Sequence, residues 1–455
     1  MGESKPMSPE AGLSDEQILA LLKRASTELA CKAWVVAGYV RDMLLKRSHT
    51  DLDVVVEEGR APELAERFAK LAGAEPPVIF ERFGTAQVTV PGHTVEFVSA
   101  RAESYSPDSR KPDVRPATLD EDLRRRDFTV NALVMDFDGN IHDRLGTGKA
   151  DLNAKVLRTP ADPEVTFNDD PLRMLRAVRF AAQLGFELAP EILPAMRRLA
   201  ARLHPPVVSV ERVADELRKM LLSDRPEVAL ELMDEGALLA VVLPELHACK
   251  GVKQGGYHTH DVYGHTLLAL AGTPPDPIVR LAAVFHDVGK PLTAAPDGSF
   301  KGHDEVGAVM ATAALERLRF SQRDVDAVAA LIRLHLRPVY YDAQWSDGAV
   351  RRLAVDAGDQ LERLMALARA DLAASSYPDK AKLDELQSRL HAVLTETPSR
   401  LSSPIDGKDI MRIRRISAGP EVGRIKKALT ELVMDGKIEP SREAVLEYLE
   451  SHQDV

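Results

Sequence analysis

The feature that most constrains this chain is a change of hydrophobic period near Asp169. Before it, apolar residues come in β-branched runs bounded by Gly, Pro or charge: WVVAGYV, DLDVVV, PVIFERFGTAQVTV and TVEFVSAR, with the helical stretch APELAERFAKLAG among them. Beyond it, DPLRMLRAVRFAAQLGF, VERVADELRKMLL and PEVALELMDEGALL carry apolar residues at helical spacing, and the strand signal disappears. Such patterning predicts a mixed α/β domain followed by a long run of helices, an α+β multidomain chain. At 455 residues it exceeds what one core organises.

Composition excludes several classes. The opening dodecapeptide, residues 1–12, is polar and breaker-rich, so it is expected to be disordered and is neither a signal peptide nor an anchor. No later run reaches the roughly 20 apolar residues that a membrane-spanning helix needs. Two cysteines, Cys31 and Cys249, cannot build a disulfide framework or a cysteine-rich zinc site, which fits a cytoplasmic protein. A net charge of −11 argues against a general nucleic-acid coat but leaves room for local basic clusters, at Arg197 to His204 and at Met411 to Lys427.

The segment AGYVRDMLLKRSHTDLDVVV holds the first chemical constellation. Asp51 and Asp53, two apart on a strand, point to one face and can converge on Mg²⁺, which takes oxygen ligands and substrate phosphates. Such metals can activate a 3′-hydroxyl and stabilise leaving pyrophosphate. Ahead of them, Ala37 and Gly38 open a helix whose amides could cradle a triphosphate, with Arg41 as a charge clamp. An Asp-x-Asp pair alone is usually a solvated strand end, so its meaning depends on the motifs that accompany it. Glu96 could add a third carboxylate, although a strand glutamate is more often exposed and inert; Arg82 is equally a phosphate contact or a surface charge.

Taken with the motifs downstream of it, this segment resembles the class II tRNA nucleotidyltransferases and bacterial poly(A) polymerases, a branch of the polymerase-β-like superfamily. The Asp51–Asp53 segment is similar to the family's first motif, which usually has two glycines where this chain has Ala37 and Gly38. RRRDFTVNAL resembles the second motif and implies that Arg126, Asp127 and Asn131 contact ribose and triphosphate. DRLGTGKADL resembles the hinge motif, with Asp143, Gly148 and Asp151 at the matching positions. NDDPLRMLRAVRF resembles the neck-helix motif in which Asp170 and Arg173, three apart on a helix, offer an acceptor and a donor to the edge of cytosine or adenine. Arg176 and Arg179 continue that face toward the nucleotide. SVERVADELRKML resembles the last motif, with Glu211 and Arg212 as supports of the neck.

A second constellation lies in HTHDVYGHTLLAL, VRLAAVFHDVGKP, KGHDEVGA, LIRLHLRP and LARADLAAS. It is a mixed nitrogen and oxygen set that suits a transition metal better than Mg²⁺, and helices can project it into a bundle core. The array resembles the HD superfamily of metal-dependent phosphohydrolases, which implies His265, His286, Asp287 and Asp371 as ligands, with His303 and His335 as additions. The final stretch resembles the closing helical segment of the same bacterial enzymes, with Arg424, Lys426 and Lys427, on a helix beginning near Gly423, facing an RNA backbone.

The expected organisation is a nucleotidyltransferase α/β head at 13–158, an all-helical neck at 159–245, an HD domain at 246–395 and a C-terminal helical RNA-binding segment at 396–455. The expected activity is template-independent addition of C and A to the 3′ end of tRNA from CTP and ATP, with HD phosphohydrolysis as a side activity. A poly(A) polymerase, a CC-adding or A-adding enzyme, and an HD phosphohydrolase with an inactive RNA-binding head are the rival readings.

Overall fold

The β-branched runs of the first third become one sheet. A computed structural model of the chain describes residues 13–48, 51–80, 84–104, 113–395 and 398–452; Arg82 lies outside these. The strands are β1 (Ala33–Val36), β2 (Asp51–Val56), β3 (Val78–Phe80), β4 (Thr85–Val90), β5 (His93–Ser99), β6 (Arg101–Ser104), β7 (Asp113–Pro116), β8 (Val134–Met135) and β9 (Ile141–His142). Seven of them form a sheet in the order β3-β4-β5-β2-β1-β8-β9, and β6 pairs separately with β7. Within the sheet only β2 and β5 run parallel, with Asp53 opposite Glu96 and Val54 opposite Phe97.

Strand alternation sets the two faces. Leu52, Val54 and Val56 share the face of Phe97, where helices α1 (Asp15–Leu29) and α3 (Ala61–Ala72) bury Ile18, Leu22, Leu64 and Phe68. The Phe68 and Phe97 rings meet there at 5.6 Å. Asp51, Asp53 and Val55 lie on the opposite face. There Val55 joins a second core of Val36, Leu119, Leu123, Ala132 and Val134. The two carboxylates thus stand at the rim of a packed surface, Asp53 partly sheltered by it and Asp51 exposed. Helices α2 (Gly38–Leu44) and α4 (Leu119–Arg124) and a short 3₁₀ turn at Thr129–Asn131 cover that side.

The next segment holds α5 (Gly148–Ala154), α6 (Pro163–Asp169), α7 (Leu172–Leu184), α8 (Ile192–Leu199) and α9 (Val210–Leu221). Gly148 is required by close approach: a Cβ there would lie 2.7 Å from the Thr129 carbonyl oxygen. A parallel pair of two-residue strands, Val156–Leu157 and Glu187–Leu188, corrects the expectation that strands end near Asp169. Two residues are too few to leave a period in the sequence. The basic run at Arg197 to His204 is largely engaged within the fold, since Arg197 donates to the Glu235 carbonyl, Arg198 pairs with Glu164 and Arg202 donates to the Asn168 carbonyl.

The chain divides into two compact units, Met1–Met220 with Glu231–Val242, and Leu221–Leu230 with Leu243–Val455. The second is helical among the described residues. Its last part builds a small core from Ile405, Ile410, Ile425, Leu429, Val433, Ile438, Val445 and Leu449, with Arg442 donating to both oxygens of Asp409 at 2.6 Å. The basic helix expected to begin near Gly423 begins at Pro420 and runs to Met434. Proline at the first helical position explains the earlier start, because its missing N–H has no intrahelical partner there anyway. Cys31 and Cys249 are buried free thiols. No helix among the described residues is long and apolar enough to cross a membrane.

Candidate active site

On β2, Asp51 is exposed and Asp53 half-buried, with Leu52 wholly buried between them. The parallel register sets Glu96 beside Asp53. Glu96 is exposed, as a strand glutamate commonly is, but it is not inert: burial, then Glu96, then Asp51 push the Asp53 carboxyl up to about 6 against the pull of Arg126 and Arg41. Three hard oxygen donors, one of them costly to ionise, are a fitting donor set for a divalent cation.

A cavity of about 440 Å³ opens beside Asp53. It is lined by Gly38, Arg41, Arg126, Asp127, Asn131, Asp170, Arg173 and Arg176, all predicted from sequence, and by Ala37, Arg125, Leu172, Phe180 and Arg212. Its cations are held by a network. Asp122, 0% exposed, binds Arg125 at 2.6 Å and Arg126 at 3.0 Å. Arg41 donates to both oxygens of its neighbour Asp42, at 2.9 and 2.8 Å, and to the Asn131 Oδ1 at 2.7 Å. Asn131 in turn donates to Asp127 at 3.0 Å. Burial alone would raise Asp127, but Arg176, at 2.6 and 2.9 Å, and the Asn131 hydrogen bond hold it well below the usual carboxylate range. Arg41, Arg176 and Arg179 surround the Phe180 ring at 4.9, 5.3 and 4.3 Å.

Two expectations are corrected on the helical side. Asp170 and Arg173 do not share a helix. Asp170 is extended (φ −143°, ψ 100°) at the end of α6, because Pro171 disfavours helical backbone before it, and α7 begins only at Leu172. Both side chains still reach the cavity, Arg173 anchored by the carbonyls of Thr166 at 3.3 Å and Arg125 at 2.6 Å. Arg179 is absent from the cavity wall: it pairs with Glu216 of α9, 3.3 Å away. Burial lowers Arg179 and raises Glu216 despite that pairing. Conversely Arg212, expected only as a neck support, lines the cavity and donates to Asp170 Oδ2 at 2.7 Å.

Ala37 carries local strain. Its φ of 59° with ψ −131° lies where glycine is favoured, whereas Gly38 begins α2 with ordinary helical backbone. The glycine-demanding position of the turn is therefore 37, and here it holds a methyl group.

In the second unit, helices Val262–Ala271, Pro277–Phe285, His303–Arg317, Gln322–Leu334 and Leu361–Ala373 deliver the six predicted ligands to one cluster. His265 Nε2 lies 2.9 Å from Asp371 and 3.8 Å from Asp287; His286 Nε2 lies 3.3 Å from Asp287, and His303 Nε2 3.3 Å from its other oxygen. Two overlapping triads, His265–His286–Asp287 and Asp287–His303–His335, each have ligand atoms within 4.8 Å of one another. His286, His303 and His335 direct Nδ1 at the carbonyls of Ala283, Phe300 and Ile332, at 2.7, 2.7 and 2.6 Å, which turns Nε2 inward. That backbone support fits a cation, as does His303 Nε2, which is buried beside Asp287 without a well-aligned hydrogen bond. Burial would lower His286, but Asp287 and Asp371 raise it to about 9, while burial and the His286 charge take His335 down to about 4. Lys290 donates to Asp287 at 2.6 Å. Gly289 lets this turn close on the third helix, since a Cβ there would overlap the His303 carbonyl oxygen at 2.2 Å.

Arg424, Lys426 and Lys427 are exposed on the helix Pro420–Met434, whose buried side is Ile425, Leu429 and Val433; Arg424 lies 3.6 Å from Glu421.

Paired carboxylates on a strand, beside an arginine-walled cavity whose lining also holds an acid and a guanidinium, Asp170 and Arg173, are the arrangement of a nucleotidyltransferase. An A-adding tRNA nucleotidyltransferase of Deinococcus radiodurans is 34% identical over 90% of this chain and 94% of its own length, and a CC-adding tRNA nucleotidyltransferase of Thermus thermophilus is 37% identical over 90% and 92%. The chain belongs to the tRNA nucleotidyltransferase family. Family models agree: one described as the poly A polymerase head domain matches residues 33–158, one described as the probable RNA and SrmB-binding site of polymerase A matches 185–250, and the HD domain matches 257–374. A crystal structure of the Bacillus stearothermophilus CCA-adding enzyme in complex with CTP superposes with a TM-score of 0.69 at 25% identity, covering 96% of this chain and 98% of that one.

Proposed function

We propose that this protein adds C and A to the 3′ end of tRNA, drawing on CTP and ATP without a template. The observation that carries this reading is that Asp53 and the pair Asp170 and Arg173 line the same cavity, so that a carboxylate suited to a metal-bound triphosphate and a donor–acceptor pair suited to a base share one site. Magnesium held by Asp51 and Asp53, with Glu96 alongside, would supply charge neutralisation and activation of the attacking hydroxyl. The chain's own groups do the rest. Arg126, Arg176 and Arg41 surround the triphosphate, Asp122, Asp127 and Asn131 fix them in that order, and Asp170 and Arg173 meet the amino group and ring nitrogen that cytosine and adenine share. The 3′-hydroxyl attacks the α-phosphate in line and pyrophosphate leaves. Residues 13–158 serve as the head, 159–245 as the neck, and 396–455 as an RNA-binding segment in which Arg424, Lys426 and Lys427 contact phosphate. The cluster at 246–395 would hold a transition metal for phosphoester hydrolysis, and a cytoplasmic location suits the whole.

A competing reading has a specific observation behind it: the Deinococcus and Thermus relatives are named for adding only A and only CC. The test gives purified protein and Mg²⁺ three tRNA transcripts, lacking CCA, ending in C, or ending in CC, with CTP and ATP apart and together. Completion of all three to CCA is expected. Addition of A alone to the CC-ended transcript, arrest at CC, or a long A tail would transfer the assignment to a rival.

A further inference from the structure

Helix α9 carries two groups one turn apart that face α7 and its approach: Glu216, which meets Arg179 and Arg176, and Arg212, which meets Asp170. The helix is seated without Arg212, through buried Val213, Ala214, Leu217 and Met220. The Arg212 side chain is 43% exposed and contributes little to folding. Its position matters for another reason. A carboxylate has about four acceptor directions. On Asp170, Arg212 takes Oδ2 at 2.7 Å, while Oδ1 receives, among the described residues, only the longer contacts of the Leu172 N–H at 3.2 Å and Arg212 Nη1 at 3.4 Å. The carboxylate is thereby turned with one oxygen engaged and the other lacking a short donor. Asp170 needs this tether more than a helical residue would, because it stands on extended backbone between α6 and α7.

We infer that Arg212 is a positioning residue for base selection: it orients Asp170 so that Oδ1 accepts the exocyclic amine of the incoming nucleobase. This rests on the reading of Asp170 and Arg173 as the base-selecting pair. Cytosine and adenine present an amine beside a ring-nitrogen acceptor, matching Asp170 and Arg173. Uracil and guanine present a carbonyl oxygen and a ring N–H there, so an oxygen of the base would face an oxygen of Asp170. Fixing the carboxylate makes that mismatch costly; freeing it allows the carboxylate to swing toward the N–H instead. Arg212 therefore acts on selectivity and on nucleotide affinity more than on the chemical step.

The test is steady-state kinetics of the full-length wild type, R212Q and R212K on the same three tRNA transcripts, with each of the four triphosphates. For whichever of CTP and ATP the wild type incorporates, R212Q is expected to raise KM about tenfold, with a smaller loss in kcat, and to raise the kcat/KM ratios of UTP to CTP and GTP to ATP about tenfold. R212K, keeping a cation in reach, is expected to restore most of the selectivity. An equal fall of kcat for all four triphosphates with unchanged ratios would make Arg212 merely structural and overturn the inference. A wild type that extends no transcript would instead sink the function on which it rests.

Discussion

Burial of Asp53, and after it the nearby charges of Glu96 and Asp51, make its ionised form costly to the folded chain. The folded carboxyl sits at about 6 against an ordinary 3.8, so the fold favours the neutral form. Below 3.8 both states are protonated and no penalty exists; it grows between 3.8 and 6 and is full above. Asp53→Asn is accordingly expected to stabilise the metal-free protein by on the order of 3 kcal/mol at neutral pH and by about 1 near pH 4.5, read by urea unfolding, while abolishing extension. An equal gain at both pH values would contradict the cause given. Ala37 supplies a second prediction. Relief of its positive φ is worth about 1–3 kcal/mol, against up to about 1 for the extra freedom glycine has when unfolded, so Ala37→Gly should raise stability by about 1 kcal/mol in the same assay. Both carboxylates were legible in the sequence because strand period places them on one face. The role of Glu96 was not, since it depends on which strand lies beside β2 and in what register.

At the scale of elements, the arginines are placed by buried carboxylates. Asp122 turns two consecutive side chains, Arg125 and Arg126, toward one cavity. Asp122→Asn is expected to cost about 3 kcal/mol, seen as a lower thermal midpoint, and to raise the KM for nucleotide as both cations lose their anchor. A change below about 0.5 kcal/mol would show that neither depends on it. The strand–helix division and most cavity residues could be read from period and motif spacing. The Asp170–Arg173 geometry could not be read correctly from spacing alone, although Pro171 was the available signal for the break. Arg125 and Phe180 escaped although they lie beside predicted residues, and Arg212 was expected only as a support of the neck, because no local pattern marks a residue that becomes a wall only after folding.

At the scale of the molecule, the two units each hold a set of carboxylate or histidine donors, and the sets differ in chemistry. The second should reveal itself through protons. His286 is held up to about 9, so a cation that binds its Nε2 must displace a proton. Uptake of Zn²⁺ or Mn²⁺ at pH 7.5 is expected to release about one proton, measured by titration calorimetry in buffers of different ionisation enthalpy, and affinity should rise with pH toward 9. Uptake without release would contradict a protonated His286 in the metal-free protein. Asp287→Ala should remove this uptake but leave transcript extension, whereas Asp53→Asn should do the reverse. The central claim, that Asp53 and the Asp170–Arg173 pair share one nucleotide site, is tested most directly by extension of a tRNA transcript lacking CCA with CTP and ATP together. Sequencing of the product is predicted to show CCA and a stop; a transcript left unextended, or one carrying U or G at those positions, would contradict it.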